Sequence, residues 1–176
     1  MKSLVVLAAL ATLSCAGRAH AESIDCRDAH WSEGRPAINV RHIFCGEFRG
    51  RPDGYHSEAV FPTPLVVGVT GRREGPQGIY NATILFANGQ RKFSTLYPRA
   101  CTAEQIIRSI RFAVAQPVQP KPGTWGDLAP SAPAGATLAD GYCLGNDGRP
   151  FTIRYALLRR GDVNTAFPDI SEGGRR

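Results

Sequence analysis

The alternation of apolar and polar residues predicts a β-hairpin in the middle of the chain. Between residues 79 and 87, one face of an extended chain is entirely apolar, as in a strand with one buried face. Asn88-Gly89 follows, a dipeptide typical of two-residue hairpin turns, and a second alternating run comes after it. Folding the chain over this turn places the apolar side chains of both runs on one face and Lys92 and Ser94 on the other. The expected cross-strand pairs are Phe86 with Arg91, Ile84 with Phe93, Ala82 with Thr95, and Tyr80 with Tyr97.

One helix is predicted from the apolar residues that recur at helical spacing between Ile106 and Val114. Its start is marked by Thr102, because a threonine N-cap with Gln105 three residues later has the form of a capping box. Pro117 marks its end, since proline cannot continue a helix. We therefore expect one main helix directly after the hairpin.

Further strands are predicted on both sides of the hairpin and the helix. Residues 65–70 form an apolar run after two prolines, and residues 151–157 alternate. A turn at 160–162 leads to a last short strand at 163–167. Residues 116–136 are rich in proline, glycine and alanine, which predicts a loop or arm rather than a packed element.

Together these elements predict an α+β fold of antiparallel β-sheet hairpins with one main helix. The chain is long enough for one hydrophobic core, so we expect a single domain over residues 22–170. Residues 171–176 are polar and are predicted to form a flexible tail.

The first 21 residues have the features of a secretory signal peptide. Lys2 supplies a positive charge, the apolar run at 4–13 is too short to span a bilayer, and Ala21 completes an A-x-A cleavage motif. Cys15 raises the alternative of a lipoprotein, which the residues before it fit poorly. We therefore expect a secreted or periplasmic protein that is cleaved near Ala21 and has no transmembrane segment in its mature chain.

Four cysteines remain after the predicted cleavage, and an even number in an exported chain predicts two disulfides. Three pairings are open. We favour Cys26 with Cys45 and Cys101 with Cys143, because the second bridge would tie down the proline-rich segment.

The mature chain would carry 19 basic and 15 acidic residues, because Lys2 and Arg18 leave with the signal peptide. The resulting net charge of +4 suits an anionic partner such as nucleic acid, although charge also serves solubility alone.

Two histidines, His42 and His56, flank a segment rich in glycine and proline that can fold back and bring their rings together. Imidazole titrates near neutrality, so one ring can remove a proton while the other donates one. RNA cleavage through the ribose 2′-hydroxyl needs this pair, together with a group that stabilises charge on the phosphoryl oxygens. Two other sites remain open: zinc bound by His42, Cys45 and His56, and a hydrolase built on Ser57, which lacks a G-x-S-x-G motif.

The segments around both histidines resemble motifs of the bacterial EndoU ribonucleases. The strings HIFCGE at 42–47 and GYHS at 54–57 resemble that family's paired-histidine motifs. KFSTLYP at 92–98 resembles the strand before its helix, 101–115 the helix, and NTAFP at 164–168 its closing segment. The resemblance covers roughly residues 38–168, and it depends on the order and spacing of motifs that are short individually.

The resemblance implies an EndoU-like fold and a mechanism of the ribonuclease A class. The implied activity is endonucleolytic cleavage of single-stranded RNA at uridylates by 2′-hydroxyl attack, which leaves 2′,3′-cyclic phosphate and 5′-hydroxyl ends. It implies His56 as the base, His42 as the acid and Lys92 as the third catalytic group, with no metal and no cofactor. Arg41, Arg91 or Arg154 could supply the positive charge in place of Lys92.

The resemblance also implies residues that bind the substrate. Thr165 would contact the uracil edge, and Phe167 would be the aromatic platform for the nucleoside. Arg41 would contact the substrate as well. Family members often carry tyrosine where this chain has Phe167, so a hydroxyl that could touch phosphate or ribose is missing here.

RNA is the expected partner, and a toxin role would add a cognate immunity protein. The alternative function is a catalytically silent RNA- or protein-binding module of the same fold. Phe167 favours this alternative, and the retained His42/His56 pair argues against it. Catalysis predicts that both histidines share one cleft with Thr165 and Phe167, whereas an unrelated structural domain would leave them dispersed.

Overall fold

The computed structural model describes residues 24–116 and 125–170 of the chain. The strands in this part form two antiparallel three-stranded sheets and a two-stranded ribbon. In chain order they are β1 (Glu47–Phe48), β2 (Pro52–Asp53), β3 (Val66–Glu74), β4 (Tyr80–Phe86), β5 (Arg91–Leu96), β6 (Asp127–Pro130), β7 (Thr152–Leu157) and β8 (Val163–Pro168). The ribbon pairs β1 with β2, and the sheets have the orders β3-β4-β5 and β6-β7-β8.

The main helix, α1, spans Ala103–Ala115. A π-helical turn covers Arg41–Cys45, and short 3₁₀ turns cover Pro76–Gly78 and Leu138–Asp140. The predicted α+β fold of antiparallel sheets with one main helix, in a single domain, is therefore confirmed. No helix within the described ranges is long and apolar enough to cross a membrane.

Helix α1 begins with the capping box that the sequence predicts. The Thr102 hydroxyl accepts a hydrogen bond from the Gln105 backbone N–H at 3.3 Å, and the Gln105 side chain accepts one from the Thr102 N–H at 2.9 Å. On its apolar face Ile106 and Ile110 are fully buried, and Val114 is partly buried. Pro117 lies outside the described residues, as do the predicted signal peptide and tail.

The buried side chains form two clusters, one for each large sheet. The first joins α1, the sheet β6-β7-β8 and the π-helical turn, with Ile43, Ile110 and Ile153 at its centre. The second lies on the inner face of the sheet β3-β4-β5 and includes Tyr55 and Ile84. Because β8 contacts both the π-helical turn and β5, the two halves meet along that strand.

The β4–β5 hairpin forms where the sequence predicts it, but the predicted register is wrong by one residue. The turn is a three-residue loop: the Phe86 N–H donates to the Gln90 carbonyl at 2.9 Å, and Gly89 has a φ of 82°. A shift of one residue exchanges the two faces of a strand. Lys92 therefore lies opposite Ile84 and Ser94 opposite Ala82 on the inner face, and Phe93 is 65% exposed.

The described part of the proline-rich segment, residues 125–136, is also more ordered than predicted. Residues 117–124 are outside the described residues, but β6 immediately afterwards pairs with β7, with Ala129 opposite Ile153. Ser131 and Ala132 after it are buried. Pro130 is tolerated because β6 is an edge strand, so a missing N–H interrupts no ladder on its outer side.

Both favoured disulfides are present. Cys26–Cys45 joins the N-terminal segment to the end of the π-helical turn, and Cys101–Cys143 joins the start of α1 to the loop before β7. Cys45 is therefore not free to bind zinc together with the two histidines.

Candidate active site

The two histidine segments are joined directly by backbone hydrogen bonds. The Tyr55 N–H donates to the His42 carbonyl and the His56 N–H to the Ile43 carbonyl, both at 2.6 Å. Gly54 allows this approach: its φ is 66°, and a Cβ there would lie 2.2 Å from the His42 oxygen. The intervening segment therefore folds back, and the centroids of the two imidazole rings lie 5.8 Å apart.

His42 is held on the π-helical turn by Asn39 and Glu47. Its backbone N–H donates to Asn39 Oδ1 at 3.0 Å, and its Nδ1 lies 3.4 Å from Glu47 Oε2. Glu47 is only 7% exposed, so its carboxylate is a fixed partner for the ring. Because Nδ1 is engaged by Glu47, Nε2 is the ring nitrogen left for a substrate.

The surroundings of His56 define which of its nitrogens carries the hydrogen. Its Nδ1 lies 3.1 Å from both the Thr95 carbonyl oxygen and Ser94 Oγ. The Ser94 hydroxyl donates its own hydrogen to the Tyr55 carbonyl at 2.8 Å, so both neighbours of Nδ1 act as acceptors. Nδ1 therefore carries the hydrogen, and in the neutral ring Nε2 carries the lone pair.

The pKa of His56 is lowered well below its ordinary value of 6.5. Burial is the largest cause, because it disfavours the charged ring, and the positive charges of Lys92 and His42 act in the same direction. The hydrogen bond to the Thr95 carbonyl opposes the shift. At neutral pH His56 is thus an uncharged imidazole that can accept a proton.

Lys92 points into the same region because of the observed register of β5. Its Nζ donates to the Gly54 carbonyl at 2.6 Å and lies 3.5 Å from Ser94 Oγ. Burial lowers the pKa of its ammonium group, and the nearby Asp53 carboxylate partly opposes this. Lys92 thus bridges β5 and the loop that carries His56.

Aromatic side chains extend from His56 along one side of the site. The Phe167 ring stacks with His56 at a centroid distance of 5.0 Å and an interplanar angle of 22°. Trp125 stacks with Phe167 at 6.0 Å and 14°. Since Trp125 is 59% exposed, this aromatic row runs from the buried imidazole to the surface.

These side chains line one cleft of about 360 Å³. Of the predicted site residues, His42, His56, Lys92, Thr165 and Phe167 lie together in it. The cleft is completed by Asp53, Phe93, Ser94, Thr95, Trp125 and Asn164. Glu47 supports His42 from outside the cleft.

The predicted arginines lie elsewhere. Arg41 lines a neighbouring groove, and Arg91 stands on the outer face of β5. Arg154 forms an ion pair with Asp169 at 3.0 Å and donates to the Trp125 carbonyl at 2.7 Å.

Ser57 is buried and does not line the cleft. No group of three or more histidine, cysteine or acidic residues that could hold a metal ion occurs in ranges 24–116 and 125–170.

Six residues of the cleft were not predicted as site residues, and two of them, Trp125 and Ser94, escaped the sequence analysis for different reasons. Trp125 lies in the proline-rich segment, whose composition does not predict a strand. The only signal in the sequence was that it is a tryptophan next to a glycine. Ser94 was assigned to the wrong face by the two-residue turn. Counting three residues in the hairpin loop would have placed Ser94 and Lys92 toward the interior.

Comparison with known proteins supports the nuclease resemblance over most of the chain. The family model described as bacterial EndoU nuclease matches residues 37–170. No curated protein and no solved structure matches the chain. The match begins just before the turn that carries His42 and ends just after β8, so it includes every residue that lines the cleft. The chain therefore belongs to the bacterial EndoU nucleases.

Proposed function

We propose that this nuclease cleaves single-stranded RNA at uridylates by attack of the ribose 2′-hydroxyl on the adjacent phosphorus. The products are a 2′,3′-cyclic phosphate and a 5′-hydroxyl end. The observation that carries the proposal is the pair of imidazoles 5.8 Å apart in one cleft, one of which has a free lone pair on Nε2.

In this proposal His56 is the general base. Its Nε2 removes the proton from the 2′-hydroxyl while the 2′ oxygen forms a bond to phosphorus. The uncharged state of the buried ring supports this assignment, because a base must be unprotonated before it acts. Thr95 and Ser94 keep the hydrogen of the neutral ring on Nδ1, so Nε2 is free to accept the proton.

His42 is the general acid. When the bond between phosphorus and the 5′ oxygen breaks, Nε2 of the protonated ring donates its hydrogen to the departing oxygen. Glu47 supports the role, since a carboxylate at Nδ1 orients the ring and stabilises the imidazolium. One proton enters at His56 and one leaves at His42, so the protons balance over the reaction.

Lys92 is proposed to stabilise the charge that develops on the phosphoryl oxygens. Its ammonium group lines the cleft and is held by the Gly54 carbonyl, which leaves further hydrogens for the substrate. In the proposed mechanism, no metal ion and no other cation stabilises the phosphoryl oxygens.

For the nucleoside, we propose that Thr165 contacts the uracil edge and that the aromatic row of Phe167 and Trp125 supplies the stacking surface. Trp125 adds an exposed ring that Phe167 alone would not offer, because Phe167 already stacks with His56. Phe167 lacks the hydroxyl of a tyrosine, but its ring and that of Trp125 still supply the stacking surface in this proposal.

The two disulfides support export of the nuclease to an oxidising compartment, as the predicted signal peptide implies. There, in the periplasm or outside the cell, it would meet RNA away from the cytoplasm of the cell that made it. A role as a toxin would add an immunity protein that covers the cleft.

The proposal is tested with a fluorogenic RNA that contains a single uridine. We expect His42→Ala and His56→Ala each to lower kcat by about 10²–10⁴-fold. A matched substrate with 2′-deoxyuridine should remain intact, because it lacks the nucleophile. Cleavage of the deoxy substrate would contradict the mechanism. A folded wild-type protein that binds RNA but does not cleave it would instead favour a catalytically silent binding module.

A further inference from the structure

A second groove of about 280 Å³ lies beside the wall of the catalytic cleft that carries His42. Asn39 and Glu47 line this groove, and the same two side chains hold His42 by its backbone N–H and its Nδ1. On the far side of that wall the groove is lined by Trp31, Arg41 and other aromatic and basic residues. The mechanism proposed above uses none of these side chains.

The aromatic side chains of the groove are exposed, and the Trp31 ring is held by a neighbouring arginine. Trp31 is 36% and Phe48 41% exposed. The guanidinium carbon of Arg160 lies 4.9 Å from the centroid of the Trp31 ring, and Arg160 is itself ion-paired with Asp162. A ring backed on one face by an anchored guanidinium is pre-organised to stack with a base on its other face.

The groove also carries positive charge near these rings. The Arg49 side chain is 78% exposed, and Arg41 approaches the His30 ring with 3.5 Å between Nη1 and Nδ1. Among the described residues that line the groove, Glu47 is the only acidic one, and its carboxylate is shared between His42 and Arg49. Basic side chains interleaved with exposed aromatic rings are typical of surfaces that bind single-stranded nucleic acid.

The groove and the cleft are connected by two asparagines. Asn39 Nδ2 lies 3.5 Å from Asn164 Oδ1, and Asn164 lines the catalytic cleft. This contact therefore places the groove directly beside the catalytic cleft.

We infer that the groove binds a nucleotide that flanks the cleaved uridylate, with its base stacked on Trp31 and the RNA phosphates close to Arg41 and Arg49. The inference rests on the proposed action on RNA. The groove extends the substrate-binding surface beyond the cleft. In this arrangement Arg41 contacts the substrate in the groove and not in the catalytic cleft.

Binding is measured with non-cleavable RNAs that carry 2′-deoxyuridine at the cleavage position, one a dinucleotide and the other extended on both sides. We expect Trp31→Ala to weaken binding of the longer RNA by about tenfold and to leave the dinucleotide unaffected. Trp31→Phe, which keeps a stacking surface, should retain most of the affinity. Thermal unfolding of each variant shows whether the fold is intact.

Salt dependence separates the arginines from the tryptophan. Arg41→Gln and Arg49→Gln should each reduce the slope of log Kd against log salt concentration by about 0.7, the value for one phosphate contact on a single strand. Trp31→Phe should leave that slope unchanged. Arg73→Gln is the matched control, because Arg73 is an exposed arginine on β3 that lines neither the groove nor the cleft.

The outcomes keep this inference distinct from the proposed function. Loss of affinity for the longer RNA alone supports the groove, even if the wild type cleaves nothing and the catalytic proposal fails. Equal affinities of the Trp31 and arginine variants and the wild type for the longer RNA would overturn the inference, even if cleavage is normal. Equal weakening of both RNAs would also overturn it, because it would place these side chains at the cleft itself.

Discussion

At the level of single residues, the cleft is built from side chains that backbone carbonyls hold in place. His56 Nδ1 points to the Thr95 carbonyl and Lys92 Nζ to the Gly54 carbonyl. Carbonyls of a strand and a tight loop move little, so these side chains keep their direction without a substrate. This fixed direction determines which atom of each group is free to react.

Lys92→Gln tests the charge that this arrangement places in the cleft. We expect kcat to fall by about 10²–10³-fold, because the neutral amide cannot stabilise developing charge on the phosphoryl oxygens. Arg91→Gln is the control: it removes a positive charge one residue away, on the exposed outer face of β5. Equal kcat values for Lys92→Gln and the wild type, measured on the single-uridine RNA, would remove Lys92 from the mechanism.

A second prediction concerns the titration of His56. A base must be neutral, so cleavage falls as the pH drops through the pKa of His56, which burial and the charges of Lys92 and His42 hold below 6.5. Lys92→Gln removes one of those charges, so we expect the His56 pKa to rise and the acid limb to move to higher pH.

The shift can be followed directly by NMR of the imidazole Cε1–H resonances in the wild type and in Lys92→Gln, with His56→Ala to assign the signal. A His56 that titrates at or above 6.5 in the wild type would contradict the assignment of a buried neutral base.

At the level of secondary-structure elements, the helix and the β4–β5 hairpin were predictable, whereas the register of the hairpin and the existence of β6 were not. The capping box and apolar spacing of α1 lie within one stretch of sequence, so both the helix and the position of its first turn could be predicted. The β4–β5 register depended on one loop residue, since Asn88-Gly89 fits both a two-residue turn and the observed three-residue loop. β6 was missed because its stability comes from its partner β7 and not from its own composition.

Gly54→Ala tests how closely the two histidine segments must approach. A methyl group there would meet the His42 carbonyl at 2.2 Å and break the hydrogen bonds beside it. Gly50→Ala is the matched control, since Gly50 also has a positive φ, 78°, but open space around its added Cβ.

We expect Gly50→Ala to cost only the backbone penalty, about 1–2 kcal/mol of unfolding free energy, and to keep its activity. Gly54→Ala should lose more unfolding free energy than this and also lose kcat. Urea denaturation and the cleavage assay measure the two effects, and equal behaviour of the two variants would show that the close approach is not needed.

At the level of the whole molecule, the cleft lies where the two buried clusters meet. His42 extends from a turn whose Ile43 and Phe44 belong to the first cluster, and His56 follows Tyr55 of the second. The sequence could suggest that the two histidines approach each other, because the segment between them is short and rich in glycine and proline. It could not place Trp125 or Asn164 beside them, since those contacts depend on how the two sheets pack.

The two disulfides are expected to differ in their effect on catalysis, because they anchor different segments. Replacing either pair by alanine should cost about 2–5 kcal/mol of unfolding free energy. Cys26–Cys45 ends the turn that carries His42, so Cys26→Ala/Cys45→Ala should also lose kcat in protein that is still folded. Cys101→Ala/Cys143→Ala, at the start of α1, should keep its kcat. Equal kcat in the two double variants would show that the first bridge does not support the site.

The place of the Cys26–Cys45 bridge has a consequence for the cell that makes the enzyme. Under the export proposed above, the chain is synthesised among reductants that keep thiols reduced, so the turn beneath His42 would have no covalent anchor there. The bridge would close only after export, and we expect catalytic power to appear with it. A ribonuclease of this kind would spare the messages of its own maker and become harmful only after leaving the compartment where those messages are read.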